Sequence, residues 1–290
     1  MPMLYWLIQG ATMTKIGILH PGEMGISIAA SAISNGHLVY WVSENRSEKT
    51  RLRAEKYGLL DLHSLIEFCQ SCEIIFSICP PHAAEDVANS VIEHGFNGYY
   101  LDANAIAPKR ANRIRQRMDE NGIRFVDGGI IGGPAWEPNE TWLYLSGKDA
   151  NVIADCFTNG PLETKIIGDE IGKASALKMC YAAYSKGTTA LLAASLAAAE
   201  SLSVRDELYQ KWEMDDPNFS EDSNRRVRRS TAKAWRFEGE MHEIAATFQE
   251  AGLPNGFHEA SAETYHRMAN FKDAAKSPRL EDVLSNLLRK

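Results

Sequence analysis

The chain is poor in cysteine, has no excess of basic residues and carries no long apolar run. Its five cysteines among 290 residues are an odd set without framework spacing, which fits free thiols in a reducing compartment rather than a disulfide scaffold. Cys69 and Cys72 form a lone C-x-x-C. With no second pair and no histidine at zinc spacing, they read as buried cysteines on a short helix before a strand, and no metal site is expected. Lys and Arg number 31 against 38 Asp and Glu, a net charge of -7. That balance argues against a nucleic-acid partner, which needs a clustered basic face to neutralise phosphates. The one basic cluster, Arg225, Arg226, Arg228 and Arg229, follows Asp215, Asp216, Glu221 and Asp222 and reads as a charge-balanced helix face. The stretch from Ala190 to Ala199 is too short and too rich in small residues to cross a membrane. Met1 to Ala11 lack a positive n-region and a cleavage site; residues 1–13 read as an extension ahead of the first strand, or as the product of a start codon placed ahead of Met13. A cytoplasmic location is the default expectation.

What is present is ordinary globular material, 44% hydrophobic and 24% charged, enough for one large or two medium domains. The first part alternates strand-like and helix-like segments, the pattern of a doubly wound parallel sheet. Strands are expected at Lys15 to Leu19, Leu38 to Val42, Ile74 to Ser77, Tyr99 to Asp102, Ile123 to Val126 and Trp142 to Leu145. Helices are expected from Met24 to Asn35, Ser47 to Tyr57, Ala83 to Glu93 and Pro108 to Glu120, where Pro108 suits a first turn. After Gly168 the character changes. Lys173 to Leu202 is rich in Ala, Leu, Lys and Ser and reads as one long helix, followed by helices punctuated by Pro217, the Gly252-Leu253-Pro254 stop and Pro278. The expected architecture is an α/β Rossmann-like doubly wound sheet over 14–168, followed by an all-α domain over 169–290.

The most informative segment runs from Gly17 to Gly25. A strand ends, a turn follows, and Gly22 and Gly25 take the second and third positions of the G-x-G-x-x-G fingerprint, with His20 in place of the first glycine. Gly22 would let the backbone approach a pyrophosphate, and Gly25 would let the helix pack on its strand. The free N–H groups and positive end of that helix would hold the anion. Cofactor choice is made at the end of the second strand, where NAD enzymes place a carboxylate on the ribose. Here Val42-Ser43 leads into Glu44-Asn45-Arg46-Ser47. Ser43 stands where the carboxylate is expected, and Arg46 can fork onto a 2′-phosphate with support from Ser43 and Asn45. NADP is favoured over NAD; a register shift of one residue would instead make Glu44 the ribose ligand.

Taken in order, these motifs resemble the β-hydroxyacid dehydrogenase and 6-phosphogluconate dehydrogenase superfamily. The resemblance is carried by Pro21-Gly22-Glu23-Met24-Gly25, by Gly36-His37, by Leu101 to Pro108, by Asp127-Gly128-Gly129-Ile130-Ile131-Gly132-Gly133-Pro134, and by Gly172 to Lys178. Ser77-Ile78-Cys79-Pro80-Pro81-His82 and Glu240-Met241-His242-Glu243 are similar to motifs of a poorly characterised branch. The resemblance implies a cofactor-binding set of His20, Pro21, Gly22, Glu23, Met24, Ser43, Asn45, Arg46, Cys79, Pro80 and Asn104. It implies a substrate-binding glycine loop at Asp127 to Pro134, with Gly132 and Gly133 touching substrate; Asn104, at a strand's carboxyl end, and the hydroxyl of Tyr181 would join them. Lys178 would be the catalytic lysine, and a homodimer would form through the helical domain. The chain also departs from the family. Ile131 stands where a serine is usual, Tyr181 and Ala182 stand where asparagines follow the lysine, and Glu240-Met241 replaces a Lys-Asp.

Hydride transfer from an alcohol needs a group to remove the hydroxyl proton, and lysine can serve if its surroundings pull its pKa toward neutrality. Lys178, between Leu177 and Met179 on an apolar helix, is the candidate; its stem could equally pack while the ammonium meets solvent. Lys186 is either a second cleft cation or a solvated neighbour. Tyr181 and Tyr184 could supply a hydroxyl in place of the missing amide, or be core aromatics on a dimer or domain face. Glu240 and Glu243 share a helix face and could close a cleft floor or be solvated, with His242 pointing elsewhere. Ile130, Ile131, Trp136 and Trp142 make the glycine-rich segment apolar. The expectation is an NADP-dependent enzyme acting on a small hydroxyacid or carbonyl compound. An imine reductase on the same scaffold and a non-catalytic NADP sensor are the alternatives.

Overall fold

The computed structural model describes residues 13–272, 274 and 276–289. The extension expected at 1–13 therefore lies, apart from Met13, outside the described residues. Two compact units divide the chain, one ending at Lys178 and one beginning at Met179. The division falls inside the long helix that opens after the expected 168/169 border.

The first unit holds eight strands: β1 (Lys15–Ile18), β2 (Leu38–Trp41), β3 (Leu60–Asp61), β4 (Ile74–Ser77), β5 (Tyr99–Asp102), β6 (Arg124–Ile131), β7 (Thr141–Ser146) and β8 (Leu162–Ile166). They form one sheet in the order β3-β2-β1-β4-β5-β6-β7-β8. Strands β1 to β6 pair parallel; β7 runs antiparallel to β6, and β8 parallel to β7. The short β3 and the half-exposed β8 were not expected. Neither has the continuous apolar run that makes β4 (IIFS) legible, every residue of which is buried; such runs mark strands covered on both faces.

The helices are α1 (Glu23–Ser34), α2 (Glu48–Lys56), α3 (Leu65–Ser71), α4 (Ala84–Glu93), α5 (Pro108–Glu120), α6 (Ala150–Ala154) and the first part of α7 (Lys173–Ser201). Two apolar layers cover the sheet. One gathers Ile16, Ile28, Val39, Phe76 and Leu143, and the other Phe68, Ile75, Tyr100, Ile114 and Phe125. Cys69 lies on α3 and Cys72 just beyond it, both buried, with burial pushing each thiol up to about 12.

The second unit is helical: the remainder of α7, then α8 (Arg205–Asp215), α9 (Phe219–Ser230), α10 (Ala234–Glu250), α11 (Gly256–Met268) and α12 (Leu280–Leu288). Helices α10 and α11 pack antiparallel, for Phe237 meets Tyr265 edge-on at one end while Phe248 meets His258 at the other. No helix among the described residues is long and apolar enough to cross a membrane.

Candidate nucleotide site and flanking lysine

Beyond the carboxyl end of β1 the chain turns at His20 and Pro21, with the Gly22 N–H donating to the His20 carbonyl at 2.8 Å. Gly22 caps α1, and among the described residues no side-chain cap bond is made at that helix start. A Cβ on Gly22 would meet nothing within 4 Å, whereas one on Gly25 would lie 2.2 Å from the His20 carbonyl oxygen. Gly22 thus leaves room for a ligand, and Gly25 is needed for the close helix–strand approach. Both glycine roles of the dinucleotide fingerprint are met. In this turn Pro21 is buried, Met24 half-buried and Glu23 exposed.

The loop after β2 brings a second group to the same edge. Asn45 takes a left-handed conformation (φ 57°), which asparagine tolerates better than most residues, and the Arg46 N–H closes the turn on the Ser43 carbonyl at 3.1 Å. The Nε of Arg46 is buried and has no partner among the described residues, and neither does His20 Nδ1. Burial and, next, the nearby Arg46 charge hold His20 down at about 4, so the imidazole is neutral at physiological pH. Burial also lowers the Arg46 pKa. Ser43 is buried, and its N–H donates to Asp61 Oδ1 at 3.1 Å; Asp61, from the unexpected β3, is a carboxylate at the end of the neighbouring strand. Arg51 binds the Ser43 carbonyl at 2.8 Å and Arg53 the Pro21 carbonyl at 3.2 Å, tying α2 to both loops. Glu44 is exposed. An uncapped helix start, an open glycine and a buried guanidinium nitrogen suit the phosphates of a dinucleotide.

Between β4 and β5 the expected ligand Asn104 has a different part. It is 2% exposed. Its Oδ1 accepts from the Cys79 N–H at 2.5 Å, and its Nδ2 donates to Ser77 Oγ at 3.1 Å. The side chain clasps the ends of β4 and β5 together. Cys79 is half-buried, its thiol pushed up to about 12 chiefly by burial; Pro80 beside it is also half-buried. Behind them Asp102 is buried, accepts from the Asn104 N–H at 3.0 Å through Oδ1, and has an Oδ2 without a hydrogen-bond partner among the described residues. Burial, with a contribution from Asp127, raises its pKa to about 7.

The glycine-rich segment requires a correction. Gly128 and Gly129 lie inside β6, not in a loop. A Cβ on Gly128 would come within 2.8 Å of Leu101, and one on Gly129 within 2.5 Å of the Ala174 carbonyl oxygen and 3.2 Å of Lys178 Cβ. These glycines therefore admit α7 onto the strand, and no ligand is needed to explain them. Gly132 (φ 128°) makes the turn out of β6 against the Glu140 carbonyl; Gly133 is exposed, its carbonyl accepts from Thr141 Oγ1 at 2.8 Å, and a Cβ on it would meet nothing within 4 Å. Ile131 is half-buried and sits opposite Trp142 across the β6–β7 ladder.

The start of α7 is anchored by Asp127, the residue at the head of the glycine segment. Its Oδ2 accepts from Ser146 Oγ at 2.9 Å, the Gly172 N–H at 2.9 Å and the Ser175 N–H at 3.1 Å, while Oδ1 accepts from Ser175 Oγ at 2.5 Å. A carboxylate on the first-turn N–H groups compensates the helix dipole. Asp127 pairs with Asp102 in the parallel register, so Gly129 lies past the carboxyl end of β5, on the side where open sheets bind ligands. Lys178 is packed above that point.

Further along α7, Tyr181 is 53% and Tyr184 77% exposed, so neither is a core aromatic of the chain, and Ala182 is buried. In the second unit Lys186 is not solvated: it pairs with buried Glu240 at 2.7 Å. Glu243 is buried too, and His242 pairs with Glu259 at 2.8 Å. No group of three metal-ligating side chains occurs among the described residues.

Fold and turn together define a dinucleotide-binding α/β protein. Residues 15–156 match the NAD binding domain of 6-phosphogluconate dehydrogenase, and residues 199–268 match a domain family of unknown function. A 28.5 kDa protein from Methanothermus fervidus, from the 7S RNA 5′ region, is 32% identical over 68% of this chain and 75% of its own length. A solved conserved protein, described as similar in structure to 3-hydroxyacid dehydrogenases, superposes with a TM-score of 0.65 at 26% identity over 95% of this chain and all of its own. The 3-hydroxyisobutyrate dehydrogenase of Mycobacterium tuberculosis shares the fold, with a TM-score of 0.68 at 15% identity, covering 96% of this chain and 100% of that one. The chain belongs to the 6-phosphogluconate dehydrogenase and β-hydroxyacid dehydrogenase superfamily of NAD(P)-dependent oxidoreductases, in a poorly characterised branch.

Proposed function

We propose that the protein is an NADP-dependent oxidoreductase that moves hydride between the nicotinamide and a small hydroxyacid or carbonyl compound, with Lys178 as the acid/base. The observation that carries this reading is the seating of Lys178 over Gly129, past the carboxyl end of β5, on a helix start fixed by Asp127. The nicotinamide, when bound, supplies or accepts the hydride. The uncapped start of α1 and Gly22 would hold the pyrophosphate, and the buried Arg46 Nε would bind the 2′-phosphate, with Ser43 and Asn45 lining the same loop. Lys178 would give a proton to the substrate oxygen as the carbonyl is reduced, or take it in the reverse direction. Gly132, Gly133 and Tyr181 would contact substrate, Asn104 would hold the floor beneath it, and the helical unit would form a homodimer.

A second reading is favoured by Ile131. It presents an apolar side chain opposite Trp142 where the family's serine would grip a carboxylate, which suits a C=N acceptor with a hydrophobic portion. The test is a nicotinamide-fluorescence titration with NADPH and NADH, followed by turnover of a panel of hydroxyacids, ketones and cyclic imines. The expected result is tight NADPH and weak NADH binding, with turnover abolished in Lys178→Met while NADPH affinity is retained. Unchanged turnover in that variant would remove Lys178 from the chemistry. Turnover of imines alone would select the second reading. NADPH binding without consumption by any compound would leave a sensor.

A further inference from the structure

The helical unit contains a basic basin that the nucleotide reading does not use. It has a volume of about 490 Å³ and is bounded by α7, α9, α10 and α11. Its charged wall is α9, where Asp222, Arg225, Arg226 and Arg229 recur at the spacing of one helix face. This arginine run reads from sequence as a solvated, charge-balanced face, and the structure is different. Arg226 is clamped inward: its Nε donates to Thr189 Oγ1 at 2.7 Å, and its Nη2 to the Ser185 carbonyl at 2.8 Å and also to the Thr188 hydroxyl. Three bonds from one guanidinium hold a fork that is rigid before any ligand arrives, with its remaining edge unengaged.

The charge balance is uneven. Arg225 is paired with Asp222, and Lys186 with Glu240. Arg226 is held only by neutral acceptors, and Arg229 has neither an ion pair nor a hydrogen bond among the described residues. Four cations meet two carboxylates, leaving two positive charges in one concavity. Phe237 and Tyr265 form an apolar floor, stacked edge-on at 5.2 Å. The Tyr265 hydroxyl is already committed to the Lys186 carbonyl at 2.9 Å. Like charges gathered in a concave site cost free energy unless an anion compensates them, and paired arginine forks match the oxygens of a phosphate.

We infer that this basin binds a dianionic phosphate monoester whose organic group lies on Phe237. A dianion balances the two uncompensated arginines, and the aromatic floor distinguishes an ester from the bare anion. The inference does not depend on the nucleotide reading. The test is calorimetric titration of the full chain with phenyl phosphate, inorganic phosphate and benzoate, in the parent, Arg229→Gln and Arg229→Lys. Arg229 is exposed and makes no hydrogen bond or ion pair among the described residues, so both variants should fold, which an unchanged melting profile and NADPH titration would verify. Saturable binding of phenyl phosphate is expected, at least tenfold tighter than inorganic phosphate or benzoate. Arg229→Gln should weaken it about tenfold or more, and Arg229→Lys should retain part of it. Equal affinity for the bare anion would overturn the ester assignment. Undiminished binding in Arg229→Gln, or no saturable heat with phenyl phosphate, would overturn the site.

Discussion

Gly25, Arg46 and Asp102 each hold one local balance that a single substitution would expose. A methyl at Gly25 would press on a backbone carbonyl that has no rotamer by which to escape. Gly25→Ala should therefore destabilise the chain by about 1–3 kcal/mol, the usual range for overpacking, with a matching loss of NADPH affinity; thermal melts and the fluorescence titration check both. Arg46→Gln removes the fork proposed for the 2′-phosphate and should cut the NADPH-over-NADH preference about tenfold or more while leaving NADH affinity near its parent value. A preference that survives the substitution would place the discrimination elsewhere in the loop.

The prediction for Asp102 concerns pH. Folded, it keeps its proton up to about 7, while the unfolded chain releases it near the ordinary 3.8. The folded state binds more protons in that window, so this group makes stability fall as pH rises through it. His20 has the opposite sign: its folded value near 4 lies below 6.5, so its contribution is present at neutral pH and lost as pH falls through that interval. Asp102→Asn retains an acceptor for the Asn104 N–H and abolishes the ionisation. Its melting temperature relative to the parent should climb between about pH 5 and about pH 8, by the equivalent of a few kcal/mol. A flat difference would show that Asp102 ionises normally.

At the scale of elements, the junction of β6 with α7 organises the candidate site. Asp127→Ala removes a carboxylate that satisfies three groups at the helix start and a serine hydroxyl on β7. The expected cost is about 3 kcal/mol or more, since charged hydrogen bonds of this kind contribute about 1.5–3 kcal/mol. Turnover should fall along with stability as Lys178 loses its seat. Gly129→Ala should do likewise by pushing α7 off the strand. Urea denaturation and the turnover assay measure both variants. How far this junction was legible in the sequence follows from its physics. The strand–turn–helix of β1 and α1 was readable because glycine spacing and apolar runs are local signals. The long α7 was readable from composition. The role of Asp127 was not, because its partners come from β7 and the start of α7, and nothing local separates a helix anchor from the head of a binding loop. The clasp made by Asn104 was hidden for the same reason: its partners, Ser77 and Cys79, lie far from it in sequence. β3 and β8 escaped because they lack the apolar runs of the central strands.

For the whole molecule, the overall charge of -7 conceals two places where cationic groups gather, the Arg46 loop of the first unit and the α9 basin of the second. An anionic cofactor that binds only the folded chain stabilises it by about 2.7 kcal/mol at a hundredfold excess over Kd. NADPH should raise the melting temperature accordingly, and NADH at equal concentration should raise it much less; equal shifts would overturn the NADP assignment.

The division of the chain at Lys178 has a consequence for how such proteins are cut and recombined. A fragment ended at Gly168, after the last strand, would retain Asp127 sealed in the sheet with Ser146 as its one remaining partner, because Gly172 and Ser175 would be gone. Stranding a buried carboxylate in this way typically costs about 3–5 kcal/mol. The α/β module is therefore portable only if it carries the opening turns of the next helix with it. A cut after the opening turns of α7 should disturb the α/β module less than a cut at the loop that topology would suggest.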